Sequence, residues 1–288
     1  MKLPDITARR EVQDLVRRAL REDVGPGDVT SGAVVRVGER AQAFVVSHGK
    51  YVVSGGGLAA LVFRASRRDL AVRQLVRDGR AVSSGARVLE VRGNARGILA
   101  AERVALNFLQ HMTGVATLTR RFVEKAGLRR GVRILDTRKT TPGLRILEKY
   151  AVLCGGGSNH RRGLHDQVLI KDNHLVLWRR RGRENLADAV RAARRACPGL
   201  PVEIEVRTER ELKDVLAGSP DWVLLDNMPP DRIRRCVKIC RGRCQLEASG
   251  GINLNNIEAF ARTGVDAISI GAITHSAPAA DLSLEFED

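Results

Sequence analysis

Two different periods of hydrophobic positions divide this chain. Between about residues 40 and 93 the pattern is mostly that of β structure. Apolar-rich runs AQAFVVS (41–47), YVV (51–53), LAVRQLV (70–76) and RVLEV (87–91) are separated by turns at His48-Gly49, Asp78-Gly79 and Gly93-Asn94. One helical run, LAALVF, interrupts them after Gly55-Gly56-Gly57. That glycine triplet lacks the lysine of a phosphate-binding P-loop and reads as a strand-to-helix connection. Ahead of this region, Val12, Leu15, Val16 and Ala19 share one face of an amphipathic helix predicted over 5–22. Gly25-Pro26-Gly27-Asp28 ends that helix in a turn. A long helical stretch follows over 98–126, expected to break near Thr113-Gly114 and to bridge two domains.

From 132 the pattern changes to repeated strand–helix units. Strands are predicted at 132–137, 167–171, 201–206, 222–225, 244–248 and 267–270. A helix is predicted from Leu144 to Leu153, with others over 184–196, 208–217, 230–240 and 254–263. Six such units suit an open doubly wound sheet or an incomplete barrel. The tail of every strand is polar or glycine-rich: Thr137-Arg138-Lys139, Lys171-Asp172-Asn173, Glu205-Val206-Arg207, Asp226-Asn227, Ser249-Gly250-Gly251 and Gly271-Ala272. Concentration of functional groups at one rim favours the barrel.

Composition narrows the class. The 288 residues suffice for two modest domains, and 43% hydrophobic residues can form a packed core. Aromatics are only 3%, so that core is aliphatic. A formal net charge of +16 points to acidic partners. The basic residues, 41 Arg against 8 Lys, are nevertheless dispersed along the chain. No zinc-finger spacing, aromatic nucleic-acid motif or basic heptad accompanies them, which leaves nonspecific polyanion binding, at Arg179-Arg180-Arg181 for example, as the alternative. Five cysteines without a paired framework indicate a reducing compartment. Cys236, Cys240 and Cys244, though spaced by four, read as small buried hydrophobes. No secretory or membrane-spanning stretch is visible, so the expected location is the cytoplasm.

The richest stretch is ILDTRKTTPGLRILEKYAVLCGGGSNHRRGLHDQVLIKDNHL (134–174). Its two strands deliver Arg138, Lys139 and Lys171 to strand ends, and Asn159-His160-Arg161 follow a glycine triplet. Five such cationic groups in one volume repel each other unless an anion lies between them. Phosphate, pyrophosphate or carboxylate would suit the arginine fork and the lysine point charge. Ser249, Gly250, Gly251, Ser269 and Gly271 close the last two strands, where glycine lets backbone N–H groups approach a phosphate. Glu205 and Asp226 end middle strands, and carboxylates there suit ribose hydroxyls or Mg²⁺. Cys154 is the one alternative nucleophile, with no base arranged beside it.

DTRKTTPGLR, GGGSNHR and LIKDNH, in this order and spacing, closely resemble the quinolinate phosphoribosyltransferases. The resemblance continues through LREDVGPGDVTS (20–31), AERVALNFLQHMTG (101–114), LLDNM (224–228), EASGGI (247–252) and SIGAITHSAPAADLSLEF (269–286). It implies an N-terminal α/β sandwich domain over 1–114 and an open α/β barrel over 115–274. Residues 275–288 would return to the first domain. It also implies transfer of a phosphoribosyl group from phosphoribosyl pyrophosphate, with Mg²⁺, to quinolinate. Decarboxylation then gives nicotinate mononucleotide for NAD biosynthesis. By the same resemblance Arg103, Arg138, His160 and Arg161 engage quinolinate, and Thr137 belongs to the substrate-binding set. Lys139 and Lys171 would serve the charges at the reacting centre, and Glu205 and Asp226 the ribose. Ser249, Gly250, Gly251, Ser269 and Gly271 complete the expected substrate-binding set. A homodimer or higher oligomer is implied, with Arg103 acting across the subunit boundary. Val104, His111 and His165 depart from the family pattern, which leaves a related transferase for another pyridine, like the paralogues associated with molybdenum transport, as a second alternative.

Overall fold

The computed structural model describes residues 3–127, 131–180, 182 and 185–287, and the chain divides into two units. Met1–Arg120, Thr141–Gly156 and Ser276–Asp288 make the first; Arg121–Thr140 and Gly157–His275 make the second.

The first unit carries helices α1 (Arg10–Val24), α2 (Val29–Val34) and α3 (Gly56–Ser66). Its antiparallel sheet has the order β12-β1-β5-β3, from β1 (Arg40–Ser47), β3 (Ala71–Gln74), β5 (Arg87–Asn94) and β12 (Leu282–Phe286). A separate ribbon pairs β2 (Tyr51–Val52) with β4 (Ala81–Val82). Helix α4 (Ala95–Ala126) and α5 (Arg145–Cys154) complete the main elements. The core is aliphatic as composition required, with Leu58, Phe63, Leu89, Ile98, Leu106 and Leu109 all below 2% exposed.

Three local readings change here. Helix α1 starts at Arg10 rather than at 5, because the Asp5 carboxylate accepts from the Thr7 N–H and hydroxyl and ties residues 5–7 into a turn. The short helix α2 was absent from the sequence reading; the Asp28 side chain caps it by accepting from Ser31 N. Helix α4 does not break near Thr113-Gly114 but runs through 32 residues. Gly114 serves close approach rather than a turn, since a Cβ there would lie 2.0 Å from the Pro278 carbonyl oxygen. His111, one of the departures from the family pattern, pairs through Nε2 with the buried Glu148 at 2.9 Å.

In the second unit six parallel strands run in the order β6-β11-β10-β9-β8-β7. They are β6 (Arg133–Leu135), β7 (Val168–Ile170), β8 (Val202–Val206), β9 (Trp222–Asp226), β10 (Gln245–Ser249) and β11 (Ala267–Ser269). The first strand thus pairs with the last, but β6 and β7 do not pair, so the barrel is not closed. A single bridge, Leu135 to Ser158, extends the sheet at the β6 side of the gap. Helices α6 (Asp172–Arg179), α7 (Leu186–Ala196), α8 (Glu209–Leu216), α9 (Pro230–Cys240), α10 (Ile257–Ala261) and α11 (Ala272–His275) follow the strands.

Helix α6 was not foreseen: Lys171-Asp172-Asn173-His174 read as a polar strand tail. It is instead a helix start, capped when Lys171 N–H donates to His174 Nδ1 at 2.9 Å. Residue 184, the expected start of α7, and Arg181 lie outside the described residues. No helix among the described residues is long and apolar enough to cross a membrane.

Candidate active site

Alternation along the barrel strands sends every second side chain inward. On β7 and its tail these are Leu169 and Lys171; on β8, Glu203 and Glu205; on β9, Leu224 and Asp226; on β10, Glu247 and Ser249. Lys171, Glu205, Asp226, Ser249 and Ser269 line a cavity of about 140 Å³, with Leu169, Leu224 and Glu247 in the same wall. The tail of β6 and the loop after the Gly155-Gly156-Gly157 triplet add Thr137, Arg138, Lys139, His160 and Arg161. Larger hollows occur elsewhere, about 480 Å³ beside Asp78 and Tyr150 and about 600 Å³ beside Trp222 and Cys244. Neither gathers cations and carboxylates from strand ends, and chemistry rather than size selects the smaller one.

The backbone holds these groups firmly. Asp136 Oδ1 accepts the His160 N–H at 2.9 Å, tying the glycine-flanked loop to the end of β6. Thr137 Oγ1 accepts the Lys139 N–H at 3.0 Å, and the Thr274 hydroxyl on α11 donates to the Lys139 carbonyl at 2.7 Å. Gly271 leaves room for this lysine: a Cβ there would meet Lys139 Cδ at 3.0 Å. Arg161 is 8% exposed and donates from Nη1 to the Gln167 carbonyl at 3.3 Å. Burial, and then the charge of Arg138, pull its pKa below the usual arginine value.

At the rim, Glu205 is pushed up to about 7 by burial, with the negative charges of Asp226 and Asp172 adding to it. The Arg207 guanidinium lies 2.9 Å from Asp172, 3.2 Å from Asp226 and 3.7 Å from Glu205. Gly250 and Gly251 follow β10 with φ of +98° and +62°. A Cβ on Gly250 would lie 2.1 Å from Asn227 Oδ1, so glycine is required there for two reasons.

All five expected groups, Arg138, Lys139, His160, Arg161 and Lys171, line this cavity, and His160 also reaches below it. Its Nε2 turns to the barrel floor, 3.2 Å from Glu203 Oε2 and 3.4 Å from Glu247 Oε2. Its Nδ1 accepts the Arg161 N–H at 2.7 Å. Glu203 and Glu247, which the sequence reading missed, are fully buried. Their signal was present: each stands two residues before a rim residue already singled out, Glu205 and Ser249. Arg207 was likewise unassigned although it follows Glu205 by two. Arg103 stands on α4 in the first unit, exposed, with Glu102 at 3.9 Å. Cys154 does not offer a nucleophile, since burial pushes its thiol up to about 12. Cys236 packs against Met228, and Cys240 Sγ lies 3.5 Å from Cys244 Sγ.

Comparison with known proteins agrees along nearly the whole chain. The model of the quinolinate phosphoribosyl transferase N-terminal domain matches residues 28–113, and that of the C-terminal domain matches 115–285. A Mycobacterium leprae nicotinate-nucleotide pyrophosphorylase [carboxylating] is 42% identical over 95% of this chain and 96% of its own length. A probable enzyme of the same name from Bacillus subtilis is 38% identical over 96% and 93%. The solved nicotinate-nucleotide pyrophosphorylase from Francisella tularensis superposes with a TM-score of 0.91 at 40% identity, covering 99% of this chain and 98% of the other. With both domain models matched in order and relatives aligned end to end, this chain belongs to the quinolinate phosphoribosyl transferase family.

Proposed function

We propose that the chain transfers the phosphoribosyl group of phosphoribosyl pyrophosphate to quinolinate and decarboxylates the adduct. The products are nicotinate mononucleotide, CO₂ and pyrophosphate, and the reaction serves NAD biosynthesis. One observation carries the reading: Arg138, Lys139, Arg161 and Lys171 line the same small cavity as Glu205 and Asp226. Cations on one side suit a dicarboxylate and a diphosphate, and acceptors on the other suit ribose hydroxyls. The pyridine nitrogen attacks C1 of the ribose as pyrophosphate leaves through an oxocarbenium-like transition state. Positioning and fixed charge carry such a step, and no protein nucleophile is required. The cationic ring then accepts the electron pair released as the adjacent carboxylate departs.

Mg²⁺ belongs to this reading as a companion of phosphoribosyl pyrophosphate. The three rim carboxylates already share the Arg207 guanidinium, so they do not form a vacant metal site. The ion is assigned to the diphosphate of the substrate, and no step is routed through a protein-bound metal. The five free cysteines support action in the cytoplasm. The enzyme is a homodimer in this reading, with Arg103 of a second copy completing each site. Support comes from the family resemblance and from an Arg103 side chain that is 59% exposed. Mixed dimers of Arg103→Ala and Lys171→Ala chains should then regain up to about half of a normal dimer's activity. No recovery after confirmed subunit exchange would place Arg103 in its own chain's site or in none.

The deciding assay supplies purified protein with quinolinate, phosphoribosyl pyrophosphate and Mg²⁺. Equal amounts of CO₂ and pyrophosphate are expected; release of neither ends the proposal. Glu205→Ala and Asp226→Ala should raise the KM for phosphoribosyl pyrophosphate at least about tenfold and that for quinolinate far less, as loss of charge-assisted hydrogen bonds requires. Selective loss of quinolinate binding would reverse the assignment. Because Glu205 titrates near 7, its acceptor form is depleted as the pH falls through that value. Affinity for phosphoribosyl pyrophosphate should weaken from pH 8 to pH 6, and a flat KM would separate Glu205 from the ribose.

A further inference from the structure

Decarboxylation leaves an electron pair on the ring carbon, and the product carries a hydrogen there. One proton must therefore reach that carbon in every turnover. An acid in the wall of the cavity that receives the ring could deliver it directly. The lysines and arginines of the wall hold anions by their charge, and surrendering a proton would release what they hold. Glu247 is the remaining carboxyl of the lining, and the reaction as described uses it for nothing.

Its surroundings are built to keep a proton. Glu247 lies one inward layer beneath Ser249, beside Glu203, which lies one layer beneath Glu205. His160 stands between them. The hydrogen-bond network assigns its tautomer: Nδ1 accepts the Arg161 N–H, so Nε2 carries the ring hydrogen toward Glu203 Oε2 and Glu247 Oε2. Gln167 Nε2 donates a second hydrogen to Glu203 Oε2 at 2.8 Å. Oε1 of both glutamates is buried and makes no hydrogen bond among the described residues. The two neighbouring carboxyls share the ring hydrogen, with neutral donors from Gln167 and Ser269 beside it, and like charges so close favour a state in which one of them carries its own proton.

The geometry points to Glu247 as the acid that protonates the pyridine carbon vacated by CO₂, with Glu203 and His160 as positioning residues that hold its proton. The C–CO₂⁻ bond breaks and its electron pair stays on the ring carbon. The Glu247 O–H bond breaks as the new C–H bond forms, and the carboxylate regains a proton from solvent after product leaves. Burial pushes Glu247 up to about 8, and the Glu203 charge adds to this; His160, the Ser269 hydroxyl and the Arg133 guanidinium oppose it. Burial raises Glu203 to about 7 against the charges of Arg161 and Lys171. The pair thus holds one proton at neutral pH. This inference rests on the decarboxylating reading above.

Single-turnover measurement of pyrophosphate and CO₂ release, in parallel, tests it. In Glu247→Gln the release of CO₂ should slow by about 100-fold or more, the usual reach of a general acid, while pyrophosphate release falls much less. In the wild type, CO₂ release should be level below pH 7 and fall about tenfold per unit above about pH 8, where Glu247 loses its proton. Glu203→Gln removes the neighbouring charge and should move that fall to lower pH. Equal slowing of both steps in Glu247→Gln, unchanged CO₂ release, or a wild-type rate level to pH 9 would each overturn the assignment. So would an equivalent of divalent metal retained by the purified wild type and lost in Glu247→Gln, since the three donor atoms lie within 4.8 Å of one another. A wild type that releases no pyrophosphate from these substrates would sink the proposed function itself. A wild type that completes both steps, with Glu247→Gln unaffected, would sink only the acid.

Discussion

Lys139→Ala and Arg161→Ala should each lower kcat/KM for quinolinate by about 30- to 5,000-fold, the equivalent of roughly 2–5 kcal/mol for removing one partner of a desolvated charge pair. The two residues reach this outcome by different routes. Arg161 is already buried, its guanidinium held by the Gln167 carbonyl and drawn toward Glu203. Its loss leaves an incoming carboxylate without a fork and leaves Glu203 with the charge of Lys171 alone of the two that lower its pKa. Lys139 is exposed in the free chain, so its side chain contributes little to stability, within about 0.5 kcal/mol as for most surface positions. It becomes desolvated only when substrate covers it, and its backbone is fixed in advance by Thr137 and Thr274. Steady-state kinetics with a thermal melt for each variant checks both statements. Near-normal kinetics in either variant would mean that the cationic wall is misassigned.

Quinolinate should be preferred to nicotinate by roughly 1,000-fold or more in kcat/KM. A site built around a polar or charged group rejects an analogue lacking it by about 10⁴–10⁵ at best, because its own groups are left unpaired. Arg138 and Arg161 face the same cavity, and the charge of Arg138 is one cause of the lowered pKa of Arg161. A dicarboxylate offsets that repulsion twice, whereas nicotinate leaves one cation uncompensated. The decarboxylation step adds to the preference, since nicotinate has no carboxylate beside the nitrogen to lose. Competition between the two acids in one reaction measures the ratio directly. Comparable turnover would show that the second carboxylate is not what the cations recognise.

Much of the site was legible in the chain because it sits where strands end. Thr137-Arg138-Lys139, Lys171, Glu205, Asp226 and Ser249 each follow or close an apolar run, and a parallel barrel brings such ends to one rim. The strand–helix count over 132–270 was legible for the same reason, although β6, β7 and β11 are shorter than expected at three residues each. Helix ends were less legible. Asp5, Asp28 and the Lys171–His174 pair set boundaries through single side-chain hydrogen bonds, which hydrophobic periodicity does not register.

The sequence by itself determined the alternation, the residue types at the rim and the family to which the chain belongs. Those depend on local period and on the order of motifs, and neither requires knowledge of distant contacts. Only the tertiary structure decided what each group faces. It set His160 Nε2 against two glutamates on strands more than 40 residues away, and it ran α4 unbroken through Gly114, where the Pro278 carbonyl leaves no room for a Cβ. It also placed Glu203 and Glu247 side by side although β9 runs between their strands. A buried carboxylate takes its properties from neighbours and from the absence of water, and both are consequences of strand order and barrel curvature that no stretch of the chain carries alone.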